Sequence, residues 1–518
     1  MLALAVLCAF LLLRLWDPAP VEILRLRTFD AFQVLQPRAP GPRPVTIVDI
    51  DEDSIRAYGQ WPWARTRVAD LVRRLTEAGA AAIAFDAVFP EPDRLSPGLV
   101  ARSMPGLDET TRAALAALPS NDAILAEAVA AGRVILGQTA LAQATDNDAA
   151  LPETGFAHLG PDPAPYLAHF PGLLRNVAAI EDAAAGRGLF TIVPERDGIV
   201  RRVPLIMVAE SRMVPSLALE VLRVLTGSGA IVVRSDAAGV NAVAVPGFEV
   251  PTDAGGSVWL HFDHHDPARF VSAKSVLDGS LAPGRVAGKI VLVGTSAIGL
   301  LDNKTTPIDR TIPGVEVHAQ VLESVLTKAT LSYPNFAIVV ELGLALAVSL
   351  GIVAFAPVLG AGWLLLLGAV VAAFIAAIAW FRFTELGILL DPTFPLAASL
   401  GVYAILVFTN YTREQMGRQR IRSAFGQYLS PALVEQLAAS PETLKLGGEE
   451  RRLTIMFSDV RGFTGIAEFY RTDPPGLTAL MPARRCSRCS PGWRSSTPCA
   501  AGRRRPAGIR TCRSRSGS

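Results

Sequence analysis

Cysteine is almost missing from this chain of 518 residues: there are 5, and none lies between Cys8 and Cys486. The long middle of the sequence therefore does not rely on disulfides, even in an oxidising compartment. Bulk charge is missing too. The formal net charge is +2, with the positive excess gathered near the C-terminus, and no nucleic-acid partner is expected from it. The first apolar run, Leu2–Trp16, lacks a basic n-region, and the Asp17-Pro18-Ala19-Pro20 that follows offers no small-residue cleavage site. An uncleaved anchor over residues 1–16 is expected rather than a removed leader. At the other end, Pro482–Ser518 contains no Asp, Glu or Lys and almost no aliphatic side chain larger than alanine. Such a segment cannot bury a core.

Apolar residues are abundant, at 50% of the chain. Three long apolar runs, Phe336–Phe355, Trp363–Phe381 and Ile388–Phe408, lie in sequence with short links. Each is near the ~20 residues that cross a hydrocarbon core, so residues 336–408 are expected to form three transmembrane helices. Glu341 falls inside the first, close enough to its end to reach the interface or to act within the membrane. Arg413, Arg418, Arg420 and Arg422 follow the third run, whereas the link before it carries only Arg382. The positive-inside rule then puts residues 411–450 in the cytoplasm and residues 25–331 outside it. With the N-terminal anchor this makes four spans and both termini inside.

Residues 25–331 read as a mixed α/β domain. Val45–Ile50 is a β-branched run suited to a buried strand. Thr66–Ala78 places Val68, Leu71, Val72 and Leu75 on one helical face, and Ala81–Phe85 is a second apolar strand. Strand, helix and strand in this order predict a parallel βαβ unit. A helix over Asp122–Ala131, strands at Arg133–Gly137 and Lys289–Gly294, and a helix over Val315–Leu326 are expected further on. Asp49, Asp51, Glu52 and Asp53 cluster at a strand end, where α/β folds place ligand groups. With Asp86 at the end of the second strand they suggest a divalent-metal site. The competing account is helix capping by Asp53 or Ser54. The Gly294-Thr295-Ser296-Ala297 turn offers backbone amides to an anion without the lysine of a P-loop, and His318 is expected to be structural.

The segments VTIVDIDEDSIRAYGQWPWAR (Val45–Arg65), AAIAFDAVFPEPD (Ala81–Asp93), RDGIVRRVPL (Arg196–Leu205), PSLALEVLR (Pro215–Arg223), VLVGTSAIGLLDNKTTP (Val291–Pro307) and PGVEVHAQ (Pro313–Gln320) resemble, in order, a CHASE-type sensor domain of the second subtype. That resemblance implies an extracytoplasmic sensor, carried by bacterial cyclases, histidine kinases and related receptors. It leaves the sensed ligand unknown. Further on, Ser423–Pro431 and Leu444–Glu449 lead into RRLTIMFSDVRGFT (Arg451–Thr464), which resembles the opening of a bacterial class III nucleotide cyclase.

The cyclase resemblance implies an apolar strand, Leu453–Phe457, delivering Asp459 to a metal turn. Asp459, with the carbonyl of Val460, would hold Mg²⁺ or Mn²⁺ against the phosphates of ATP or GTP. Gly462, Phe463 and Thr464 would open a helix whose free N–H groups face the triphosphate. The implied fold class is multi-domain: an extracytoplasmic α/β sensor, transmembrane α-helices and the start of an α/β, ferredoxin-like cyclase domain over residues 451–481, working as a homodimer. A multi-pass protein of the bacterial inner membrane is expected.

After Met481 the resemblance stops, and the family's second metal aspartate, purine-selecting pair, asparagine and arginine have no matching positions. Residues 482–518 are expected to be disordered. A shifted reading frame in a GC-rich gene, a zinc site starting from Cys486 and Cys489, and a basic tail are the competing accounts. The chain by itself is expected to make no cyclic nucleotide. A non-enzymatic ligand-binding membrane sensor, or a dominant-negative dimerisation partner, is the alternative function.

Overall fold

The structure is a computed structural model that describes residues 1–145, 154–297, 299, 302–425 and 462–473. The chain falls into two compact units, Met1–Gln427 and Tyr428–Ser518. In the first unit, an α/β domain stands on a set of apolar helices.

The domain is organised by one seven-stranded sheet. Its main strands are β1 (Val45–Ile50), β2 (Ala82–Phe85), β3 (Val134–Leu141), β4 (Gly186–Leu189), β5 (Phe270–Ser272) and β6 (Ile290–Thr295). The order across the sheet is β5-β1-β6-β2-β3, all parallel, with β4 joining β3 in parallel and Gly172–Leu174 antiparallel to it. β1 and β2 are both parallel members, as the βαβ pattern predicts, but they are not neighbours. β6, more than 200 residues later in the chain, lies between them.

Each strand sends alternate side chains to opposite faces. Val48 and Ile50 of β1, with Ile83 and Phe85 of β2, pack under α4 (Arg65–Glu77) and α5 (Asn121–Ala131). Val45 and Ile47, with Ala82, Ala84, Ile290 and Leu292, pack under α6 (Leu217–Leu225) and α7 (Gly314–Leu326). Between β4 and β5 the chain builds a four-stranded sheet from Gly155–Leu159, Ala230–Asp236, Gly239–Val245 and Phe248–Pro251. A three-stranded sheet of Ala168–Phe170, Ile206–Ala209 and Arg212–Pro215 lies in the same stretch.

The apolar helices are α1 (Leu2–Trp16), α8 (Ala337–Phe355), α9 (Ala361–Leu386) and α10 (Thr393–Phe425). The last three are long and apolar enough to cross a membrane. α1 packs into them through Ala3 and Leu7, which meet Ile352, Leu364 and Val402. At Asp17 and Pro18 the chain bends by 79° into α2 (Ala19–Leu35), a helix with no counterpart among the sequence expectations. The stretch Glu109–Ala131 also passes on length and composition. It is two helices in the α/β domain, broken where Ser120 caps α5, with Leu125 and Val129 buried against the sheet. In the second unit, Gly462, at φ 77°, precedes the helix Phe463–Phe469, in line with the expected helix start. Asp459 and Val460 lie outside the described residues, as do 474–518.

Candidate functional site

The carboxyl ends of β1, β6 and β2 bring the sensor-domain candidates together. Asp49 pairs in register with Gly294, and Asp86 extends β2 past the Phe85–Val293 pair by donating its N–H to the Val293 carbonyl at 2.8 Å. Strand alternation turns Asp49, Gly294 and Asp86 toward the same face, the one covered by α7. Gly294 is required there, because a Cβ on it would lie 2.6 Å from the Cβ of Val315 at the start of α7. Two carboxyl groups thus flank a strand position with no side chain.

The two groups are unevenly satisfied. Asp49 is 7% exposed; its Oδ2 accepts a hydrogen bond from the Ser296 hydroxyl at 2.5 Å, while its Oδ1 is buried without a partner. Burial pushes the Asp49 carboxyl up to about 6, against the stabilising Ser296 hydrogen bond, and the charge of Asp51 adds to the rise. Asp86 is half-buried and is pushed up to about 7, first by desolvation and then by the negative charge of Asp302, which Lys304 offsets in part. Lys304 is engaged with Asp302 at 2.5 Å.

Asp51 has a different role. Its Oδ1 accepts from the Ser54 N–H at 2.8 Å, the Ser54 hydroxyl at 2.6 Å and the Ser272 hydroxyl at 2.9 Å. It is the N-cap of α3 (Glu52–Tyr58). Capping does operate here, but through Asp51 rather than the expected Asp53 or Ser54, because β1 runs to Ile50 and the helix starts at Glu52. Asp53 forms an exposed ion pair with Arg56 at 2.6 Å. Among the described residues no three His, Cys, Asp or Glu side chains converge as a metal-binding set.

His318 joins the site from α7, one turn beyond Val315 on the helix. It is 1% exposed, and its Nε2 lies 3.1 Å from the Phe190 carbonyl. A carbonyl only accepts, so Nε2 carries the proton and Nδ1 presents a lone pair. That Nδ1 is buried without a partner. Desolvation pushes the ring down to about 4, so it is neutral at ordinary pH; the same Asp302 and Lys304 that act on Asp86 also act on it. The expectation of a structural histidine accounts for the Nε2 bond and leaves Nδ1 unexplained.

A second concentration of buried charge lies where the domain meets the helices. Arg14 of α1 and Glu341 of α8 are 2% and 1% exposed and pair through Nη2 and Oε2 at 2.7 Å. The Tyr333 hydroxyl accepts from Arg14 at 3.0 Å and donates to Glu341 at 3.2 Å. Glu341 also receives the Asp391 N–H at 3.2 Å. Across the bend, Arg25 of α2 grips Asp17 with two bonds of 3.0 and 2.8 Å.

On its other side, α2 is tied to the domain. Asp30 takes two bonds of 2.6 and 2.8 Å from Arg201, which is fully buried and also held by Asp197. Phe29 packs on Trp259 and Tyr333, and Phe32 on Trp380 and Phe383 of α9. The sequence signalled Glu341 alone, since the partners of these charges lie up to hundreds of residues away.

A mixed α/β domain joined by buried ion pairs to helices long and apolar enough to cross a membrane fits a membrane protein. A family model described as CHASE2 domain matches residues 3–360, and the chain belongs to this family of extracytoplasmic sensor domains found in receptors. No curated protein and no solved structure shows a match to the chain.

Proposed function

We propose that this chain is a membrane receptor of the nucleotide-cyclase type, in which the α/β domain senses a signal outside the cytoplasmic membrane and the helices carry it to a cyclase-type segment inside. The observation that supports transmission best is α2. It is ion-paired to the domain through Asp30 and Arg201 and packed on α9 through Phe32. A change of shape in the domain therefore moves α2 against the membrane helices. Orientation follows from the arginines after α10, and the inner membrane of a bacterium is the setting this reading takes.

The cyclase assignment rests on Leu453–Thr464. In an intact relative, Asp459 and Val460 would hold Mg²⁺ or Mn²⁺, and Gly462, Phe463 and Thr464 would meet the phosphates of ATP or GTP in a homodimer. Only the first of the family's two metal aspartates has a match in this sequence, so this chain alone is expected to form no cyclic nucleotide.

Two measurements test the proposal. Cysteines placed at exposed Ser103 and Gln419, in a background without the native cysteines, are offered a membrane-impermeant maleimide in intact cells. Labelling of Ser103→Cys at once, and of Gln419→Cys only after permeabilisation, is expected; the reverse pattern overturns the orientation. Purified chain with ATP or GTP and Mn²⁺ is expected to yield no cyclic AMP or cyclic GMP. Turnover would overturn the inactive assignment.

A further inference from the structure

We propose that α2 is a lipid-docking helix, its exposed face lying in the boundary layer of the outer leaflet, where acyl chains meet phospholipid headgroups. The inference rests on the reading of α8, α9 and α10 as membrane spans and goes beyond it, because α2 itself does not span. Its level follows from its neighbours. α1 runs alongside α8 in the opposite direction, with Ala3 and Leu7 near Ile352 and, farther along, Arg14 paired with Glu341. The 79° bend then turns α2 across the end of the bundle. There Phe32 packs on Trp380 and Phe383, in the last two turns of α9. Trp16, 78% exposed at the end of α1, marks the same level, since tryptophan is enriched where the headgroups begin.

The two faces of α2 differ. Arg25, Leu26, Phe29, Asp30 and Gln33 are buried, and Asp30 is bound to Arg201 of the domain. Pro20, Leu24, Arg27, Ala31, Val34 and Leu35 are exposed. Their spacing of three and four residues draws one stripe along the helix. Leu24, Val34 and Leu35 are 51%, 58% and 72% exposed, and Arg27 is the stripe's one charge. Its guanidinium holds Asp30 and Asp197 only loosely, at 3.7 and 3.6 Å. It can reach a lipid phosphate while its stem stays among the apolar side chains. An apolar stripe held across the helix ends fits the boundary between headgroups and acyl chains. A second copy of the chain is the rival occupant. A stable protein interface takes roughly 20–30 residues a side, and a stripe of six falls well short of that. Lipid needs no such area, because the stripe continues the exposed apolar surface of α9, where Val370, Phe374 and Phe381 lie uncovered.

The test uses the full chain in lipid nanodiscs, in a background without the native cysteines. Leu24→Cys, Val34→Cys, Val370→Cys and Ser103→Cys are made singly and each is labelled with a small fluorophore. Phospholipid carrying a nitroxide near the headgroup end of its acyl chain quenches from the bilayer, and iodide quenches from water. Val370→Cys, on the exposed surface of α9, reports whether α9 crosses the membrane, and Ser103→Cys, exposed on the domain, reports water. Leu24 and Val34 are themselves exposed, so their substitution leaves the packed face of α2 intact. For both positions, lipid quenching at least threefold stronger than at Ser103→Cys is expected, with iodide quenching at least threefold weaker. Iodide quenching equal to that of Ser103→Cys, with Val370→Cys quenched from lipid, would overturn the proposal. So would weak quenching by both agents together with a disulfide between copies through Leu24→Cys on oxidation, which assigns the stripe to a second copy. Loss of lipid quenching at Val370→Cys would overturn the membrane reading, and this inference with it.

Discussion

Removing Glu341 or Arg14 singly should destabilise the domain-to-helix junction far more than removing both. Arg14 and Glu341 are 2% and 1% exposed and share bonds of 2.7 and 3.2 Å. Loss of one partner of a buried ion pair typically costs about 3–5 kcal/mol, because the survivor is left charged and dry. The two single variants differ in what remains. In Glu341→Gln, Arg14 keeps Asp17 at 3.1 Å, a partner that is itself 31% exposed, together with the Tyr333 hydroxyl. The cost should fall at the low end, about 3 kcal/mol. In Arg14→Met, the Glu341 carboxylate keeps only the Tyr333 hydroxyl and the Asp391 N–H, both at 3.2 Å. Neither carries a charge, so the cost should be higher, about 3–5 kcal/mol. In Arg14→Met with Glu341→Gln no charge is stranded, and the double variant should lie within ~2 kcal/mol of wild type. The assay is thermal unfolding in nanodiscs, closed as a double-mutant cycle. The coupling should be ~2 kcal/mol or more. Single costs below ~1 kcal/mol that simply add would refute the reasoning and make the pair an incidental contact.

Three further outcomes follow from the same geometry. Asp49 has a folded-state value of about 6, above its ordinary 3.8, so its stabilising protonation is complete below pH 4 and lost as pH rises through 6. Asp49→Asn should match wild type near pH 4 and exceed it by about 1–3 kcal/mol above pH 7; a less stable variant at pH 8 would contradict the assigned burial. His318 acts with the opposite sign: its value of about 4 lies below the ordinary 6.5, so its contribution is present above pH 6.5 and lost as pH falls toward 4, and His318→Phe should flatten acid unfolding in that window. Gly294→Ala should cost about 1–3 kcal/mol by driving a methyl into Val315, and Val315→Ala in the same chain should recover part of it, both read by thermal unfolding.

Local pattern carried much of the fold. Val45–Ile50, the helix around Val68–Leu75 and the apolar runs that became α8, α9 and α10 were legible because each announces its own period. Strand neighbours were not legible. β6 separates β1 from β2 by pairing with segments more than 200 residues upstream, and no local pattern encodes that insertion. α2 escaped notice because its buried face is half charge: Arg25 and Asp30 lie beside Leu26 and Phe29. Only the distant Arg201 and the bend at Asp17 make those charges buriable. In the site, Asp49 and Asp86 were readable as strand-end carboxyls. That Asp51 is committed to Ser54 and Ser272, and that His318 joins from α7, depended on contacts across the fold.

The arrangement of charge differs between the domain-to-helix junction and the carboxyl ends of the central strands. Arg14, Arg25 and Arg201 each meet carboxylates through short bonds. They close the junction around α2. At the sheet edge the balance is reversed, and Asp49 Oδ1 and His318 Nδ1 are enclosed with nothing to receive. Burying an unpaired acceptor costs ~1–3 kcal/mol, and this domain tolerates two of them. The start of α7 is pressed on Gly294, in register with Asp49, through Val315. Farther along α7, Glu323 pairs with Arg38 at 2.9 Å, in the segment that joins α2 to β1.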